Sequence, residues 1–334
     1  MEILTGNPKD VATNYRWQEE LKRAFRDIDS LLAFLELERK DLPPLAKTQH
    51  PFPTLVPRPF ANRMNKSDPR DPLLLQVVTA QVTEPRQDWV IDPVEDKSFE
   101  KVPGLLHKYP GRVLFLLTGA CAIHCRYCFR QHFDYSTTQA GWEAGLEYVQ
   151  NDKSISEIIL SGGDPLMRTD VQIADLVRRA NSIPHLKRLR IHTRLPVVLP
   201  SRVTKEIVEA FSESRAQVCL VLHINHSREI DGEVQQAVAR FRQTGALILN
   251  QSVLLNGVNS DLPALITLSE TLIDSGVIPY YLHLLDPVKG AENYFVSENT
   301  GLSLIQQMRE RLPGYCVPKL VKEEAGEMSK TAVE

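Results

Sequence analysis

From Arg112 onward, apolar runs of strand length alternate with amphipathic stretches, and the alternation repeats six times. The runs Val113 to Leu117, Glu157 to Leu160, Leu186 to His192, Val218 to Ile224, Ala246 to Leu255 and Pro279 to Leu285 predict six strands. Helical spacing marks Ala140 to Gln150, Asp170 to Ser182, Ser201 to Glu213, Glu233 to Thr244, Asp261 to Asp274 and Thr300 to Arg311. Strand starts lie roughly 30 to 45 residues apart, the length of a strand, a crossover helix and a return loop. Asp170, Ser201 with Thr204, and Asp261 ahead of Leu262 and Pro263 stand where helix caps and early prolines belong. Right-handed crossovers then give an α/β fold with one parallel sheet, either doubly wound or a partial (β/α)6 barrel of the TIM type, and the barrel is the reading adopted. Both architectures put ligands at the C-terminal strand ends. The loops beginning near Thr118, Ser161, Thr193, Asn225, Asn256 and Asp286 are therefore where chemistry is expected.

The first hundred residues follow a different pattern. Trp17, Leu21, Ala24, Phe25, Ile28, Leu31, Leu32 and Leu35 recur at helical spacing, predicting one or two amphipathic helices over Asn14 to Leu37. Pro43, Pro44, Pro51, Pro53, Pro57 and Pro59 then interrupt regular structure, and Asp68 to Thr79 is expected to form a short helix or to wrap the main body. The chain divides accordingly into an N-terminal helical and irregular accessory region (1–105), the barrel (106–313) and a C-terminal strand with a tail (314–334).

Composition narrows the function. Of 334 residues 43% are apolar and 24% charged, with a formal net charge of −3, and no run approaches the roughly 18 to 20 apolar residues of a membrane span. Met1 to Glu20 lacks the apolar stretch of a signal peptide, so no membrane association and a cytoplasmic location are expected. Lys and Arg number 39 against 42 Asp and Glu, which leaves no basic excess to hold a nucleic acid and favours a small-molecule substrate.

The sharpest local feature follows the first strand. Cys121, Cys125 and Cys128 fall inside eight residues in a C-x3-C-x2-C pattern, and three thiolates so spaced can wrap one face of a four-iron cube while leaving one iron open. A zinc site or structural thiols are the rival readings; zinc would want a fourth ligand, and His124 is wedged between two of the cysteines. Cys219 and Cys316 stand alone in apolar strands and are expected to pack. After the second strand, Ser161, Gly162, Gly163, Asp164 and Pro165 form a turn whose glycines let backbone approach a ligand. His223 and His226, flanking Asn225, and the loop from His192 to Arg194 sit at strand ends, as cofactor contacts or as satisfied histidines.

With Tyr127 before Cys128, the cysteine loop resembles the C-x3-C-x-aromatic-C signature of the radical S-adenosylmethionine superfamily. That resemblance implies a [4Fe-4S] cluster on Cys121, Cys125 and Cys128, whose open iron chelates S-adenosylmethionine, with Gly162, Gly163 and Asp164 lining its methionine end. Tyr109 to Leu114, Arg194 to Arg202, Asn250 to Asn259, Pro279 to Tyr281 and Gly314 to Pro318 are similar to segments of the lysine 2,3-aminomutase family, over roughly residues 50 to 330. The implied activity is an isomerase that shifts the α-amino group of L-lysine to the β-carbon. Counting from Gly314 to Pro318, taken as the family's last strand, places Lys330 where the pyridoxal 5'-phosphate lysine belongs. Arg130 matches the arginine that holds the substrate carboxylate. Of two acids that hold the distal ammonium, one maps to Glu323 and the other to Ser260, with Asp261 next door as the acid expected to substitute. Lys108 and Arg112 are further cation candidates for a phosphate or carboxylate. Glu323 to Lys330 has no run of glycines and the chain stops at Glu334, features similar to the branch that makes β-lysine for modifying bacterial elongation factor P. The partners so implied are L-lysine and, functionally, an elongation factor P lysyl-ligase, with a homo-oligomer left open. A catabolic lysine or glutamate 2,3-aminomutase, a radical enzyme without the pyridoxal site and a non-catalytic metal-binding scaffold are the alternatives.

Overall fold

Seven strands run parallel, each beside the next in chain order: β3 (Arg112–Thr118), β4 (Glu157–Gly162), β5 (Arg188–Thr193), β6 (Gln217–Leu222), β7 (Leu247–Val253), β8 (Ile278–His283) and β9 (Lys319–Lys322). The first six are the strands expected from the sequence. β1 (Glu100–Val102) and β2 (Leu105–Tyr109) add an antiparallel hairpin on one side, and β10 (Thr331–Ala332) an antiparallel strand on the other. The ends of the ten-strand order are not paired, so the sheet is an unclosed, partial barrel. This computed structural model describes residues 16–44, 52–78, 81–82, 84–136, 141–324 and 326–334. Asn14, Thr79 and Ala140, which bounded expected elements, and Pro51, one of the interrupting prolines, lie outside them.

The six crossover helices are α1 (Glu143–Asn151), α2 (Asp170–Asn181), α3 (Lys205–Ser212), α4 (Gly232–Arg242), α5 (Leu262–Asp274) and α6 (Glu298–Arg309). Two caps differ from expectation by a few residues. Thr169 rather than Asp170 caps α2, in a reciprocal box with Gln172, and Thr204 alone caps α3, because Ser201 lies in the separate turn Pro200–Arg202. The last parallel strand also shifts: Gly314–Cys316 closes a 3-10 turn, so extended chain starts at Lys319, beyond Pro318.

All six residues of β4 are buried, as a strand covered on both faces requires. The N-terminal region shares this core: Trp17, Leu31, Val56, Phe60 and Leu74 cluster with Phe115, Ile158, Ile191 and Leu220. The segment before the barrel also holds the loop after β3, since Leu55 O accepts from His124 N at 3.1 Å and Gln76 O from Arg126 N at 3.0 Å. The expected boundary after residue 105 falls inside β2. No described helix is long and apolar enough to cross a membrane.

Candidate functional site

The C-terminal strand ends open onto a cavity of about 570 Å³. Cys121, Cys125, Cys128 and Arg130 reach it from the loop after β3, Gly162 and Gly163 from the end of β4 and its loop, and Glu323 and Lys330 from the tail after β9. Residues from both ends of the barrel sequence thus meet in one chamber.

The three cysteines are half-buried free thiols. Burial pushes the Cys121 thiol well up and that of Cys128 up to about 12, so both are protonated when bare and must release protons to become ligands. Among the described residues no three Cys, His, Asp or Glu side chains converge on a point that could hold a single metal ion. A cube asks for something else, one thiolate on each of three irons, and three thiols along one wall of a chamber suit it.

The glycine turn is built around the cysteine loop. Gly163 N donates to Thr118 O at 2.6 Å and Asp164 N to Ala120 O at 2.8 Å. Gly162 sits at φ +121°, and a Cβ on Gly163 would lie 2.4 Å from Ala120 O. Gly163→Ala is therefore expected to cost about 1 to 3 kcal/mol of stability and to lower the iron retained per chain. A melting curve and an iron assay matching the parent would refute this role. Asp164 lines the same cavity, and its carboxylate is engaged within the loops. Its carboxylate accepts from Thr193 Oγ1 at 2.7 and 2.9 Å, from the amides of Arg194 and Leu195 at 2.8 and 3.0 Å, and from Leu166 N at 3.0 Å. With its oxygens so occupied, it pins the β4 loop to the β5 loop.

The tail is tied down. Thr331 pairs with Lys322 across the β9–β10 hairpin, so Lys330 and Glu323 are the next facing positions. Lys330 Nζ donates to Glu323 Oε2 at 2.8 Å, and Lys108 Nζ, also at 2.8 Å, and Tyr109 OH donate to Oε1. Burial alone would raise the Glu323 carboxyl, but the Lys330 charge and these donors hold it at about 2. Glu323, expected to hold the distal ammonium of the substrate, is thus paired with the Lys330 amine of the chain itself.

Arg130 is buried, its Nε on Asp96 Oδ2 at 2.8 Å and its Nη1 on Ser161 Oγ at 3.1 Å, with no partner among the described residues for Nη2. Asp261 is corrected outright: it is exposed, caps α5 by accepting from Ala264 N at 2.9 Å, and does not line the cavity. The acid that does is Asp286, after β8, which burial pushes up to about 6 and which has no hydrogen-bond donor on its side chain among the described residues. Its place at the end of a parallel strand was the available signal. His192 Nε2 and His283 Nε2 are buried on the same cavity without partners among the described residues, and burial holds both imidazoles well below their usual range, hence neutral. Orphaned polar atoms beside a lysine amine and the cations Lys108, Arg112 and Arg190 form a donor set that a phosphorylated, polar cofactor would satisfy. His226, by contrast, caps the turn Ser227–Glu229 through Nδ1.

Residues 115–250 match the model of the radical S-adenosylmethionine (Radical SAM) superfamily. Over 328 residues the chain is 44% identical to an L-lysine 2,3-aminomutase of Escherichia coli, covering 95% of this chain and 94% of that one. It is 42% identical to one of Haemophilus influenzae, covering 99% of each, and 31% identical to one of Clostridium subterminale, covering 97% of this chain and 80% of that one.

Proposed function

The chain belongs to the lysine 2,3-aminomutase family of radical S-adenosylmethionine enzymes, and from that premise we propose which residues carry the reaction and where its product goes. The activity is an isomerisation of L-lysine to β-lysine with a [4Fe-4S] cluster, S-adenosylmethionine and pyridoxal 5'-phosphate. When bound, these groups supply a deoxyadenosyl radical that takes and returns hydrogen and a π-system that stabilises the migrating amine.

The protein's part is holding and orienting. Cys121, Cys125 and Cys128 hold the cluster, with Gly162 and Gly163 letting the β4 loop close against the loop that carries it. Lys330 is the pyridoxal lysine, fixed in place by the hairpin and by Glu323, and Lys108 and Arg112 offer positive charge to a phosphate. Arg130, already oriented by Asp96 and Ser161, presents Nη2 to the substrate carboxylate. Asp286, with Glu323, receives the distal ammonium. The enclosing strands keep water and stray hydrogen donors from the radical. One observation carries this reading: thiols from the loop after the first parallel strand and the tail lysine after the last meet in one chamber of ligand size.

The absence of a glycine run before Lys330, which resembles the branch that makes β-lysine for elongation factor P, supports β-lysine being made for an elongation factor P lysyl-ligase in the cytoplasm. Anaerobic incubation with L-lysine, S-adenosylmethionine, pyridoxal phosphate and dithionite, followed by chiral amino-acid analysis, should yield β-lysine that the ligase attaches to elongation factor P. Preferential turnover of glutamate, or β-lysine of the hand the ligase refuses, would overturn the assignment.

Asp286 gives this reading a pH signature. A carboxyl titrating at about 6 must be ionised to hold an ammonium, so the KM for lysine should rise about tenfold for each pH unit below that value and level off above it. Asp286→Asn should raise KM at neutral pH and flatten the profile; a parent-like profile in that variant would remove Asp286 from the substrate.

A further inference from the structure

One cysteine of the three differs from the others in its surroundings. Arg194, at the end of β5, is 6% exposed, and its Nη1 donates to Cys125 Sγ at 2.6 Å and to Tyr127 OH at 2.7 Å. Its Nη2 donates to Gln76 Oε1 at 2.6 Å and Glu229 Oε2 at 2.9 Å. Among the described residues no arginine guanidinium donates to the sulfur of Cys121 or Cys128, and Cys128 has instead the backbone N–H of Arg130.

Everything around this guanidinium is itself locked. Glu229 is fully buried, and its Oε1 accepts from Asn225 N at 2.9 Å, His226 N at 3.2 Å and Gln76 Nε2 at 3.1 Å. Gln76 Oε1 further accepts from Tyr127 OH and Asn225 Nδ2, each at 3.1 Å. The network joins the N-terminal segment, the cysteine loop and the ends of β5 and β6. A buried ion pair of this kind adds little stability over apolar packing, so its directed geometry calls for another reason. The pair is a fixed dipole whose positive end meets a sulfur.

We propose that Arg194 is a positioning residue that sets the reduction potential of the cluster through its N–H···S bond to Cys125, with Glu229 limiting the effect from behind. The inference rests on the reading that Cys121, Cys125 and Cys128 hold a [4Fe-4S] cluster. Reduction adds one electron to the cube from a low-potential one-electron donor, and the added negative charge spreads onto the thiolates. A donated N–H and a neighbouring positive charge stabilise the reduced form, and so raise the potential; hydrogen bonds to the sulfurs are among the determinants of iron–sulfur potentials.

The test is a potentiometric titration of the anaerobically reconstituted full chain with dithionite, following the electron paramagnetic resonance signal of the reduced cluster and the iron per chain. Poised at the parent's midpoint, Arg194→Gln should move the oxidised-to-reduced ratio from one to about ten, a downward shift of about 59 mV for a one-electron couple. Arg194→Lys, which keeps charge but not the fork, should fall between, and Glu229→Gln should shift upward. The opposite signs separate tuning from general damage to the fold. Full iron with a midpoint unchanged in Arg194→Gln would overturn the inference and leave the ligand reading standing. Should Arg194→Gln fail to load iron, Glu229→Gln decides, and an unmoved or lowered midpoint there overturns it. A parent chain that takes up no iron would sink the ligand reading and this inference together.

Discussion

Chains carrying alanine in place of Cys121, Cys125 or Cys128 are expected to emerge from anaerobic reconstitution with little iron and to leave S-adenosylmethionine uncleaved. Each thiolate answers for one iron, and two thiolates cannot hold a cube whose fourth iron is already without a cysteine. The loss should be chemical, with the fold retained. The loop is anchored by bonds that involve no sulfur: His124 N to Leu55 O at 3.1 Å and Arg126 N to Gln76 O at 3.0 Å from its backbone, and Arg126 Nε to Val77 O at 2.9 Å from a side chain. The metal-free variants should therefore melt within about 1.5 °C of the metal-free parent, the shift of roughly 1 kcal/mol in a chain of this size. Cys219→Ala and Cys316→Ala are the controls, because both sulfurs are buried away from the cavity and neither should change the iron content. Cleavage of S-adenosylmethionine persisting in Cys125→Ala would refute the ligand set.

The six parallel strands were legible because apolar residues gather in each between helical stretches, as Ile158, Ile159 and Leu160 do in the fully buried β4. The edges were not. β1 and β2 are short and carry Lys and Glu, and β9 is four residues beginning and ending in lysine, so none offers a run long enough to stand out. The cysteine loop was legible as well, being a local pattern whose spacing allowed a cluster and whose resemblance to a known signature implied one. Contacts made at long range left no such trace. Asp261 next to the unhelpful Ser260 looked like the missing acid, yet the start of α5 needs it as a cap, and the cavity-facing carboxylate is Asp286, which in sequence is an ordinary Asp-Pro turn. Glu323 was found, but not its pairing with Lys330, which depends on a hairpin register. Gln76, Arg194 and Glu229 meet across more than a hundred residues of chain, and only folding puts them beside Cys125.

Lys330 offers the sharpest separation of chemistry from architecture. Lys330→Ala is expected to reduce lysine aminomutation by at least about 10³-fold, the scale on which enzymes lose rate when a nucleophile is removed, while S-adenosylmethionine is still cleaved in the presence of reductant. The cluster end of the cavity is untouched by the change, so the radical would form without a properly held amine to act on. Glu323 would lose one of its partners yet keep Lys108 and Tyr109, and β9 should hold its place. Its carboxyl should rise from about 2, because the Lys330 charge leads the influences that oppose burial there. Lys330→Arg settles whether the ion pair or the amine matters. A guanidinium can still bridge to Glu323 and hold the hairpin, but it stays protonated and cannot link to a pyridoxal aldehyde. If Lys330→Arg melts like the parent, lacks the visible absorbance of lysine-bound pyridoxal phosphate and is as inactive as Lys330→Ala, the amine is the reacting group. If either variant turns over lysine at the parent's rate, Lys330 is only the latch that closes the tail against the barrel.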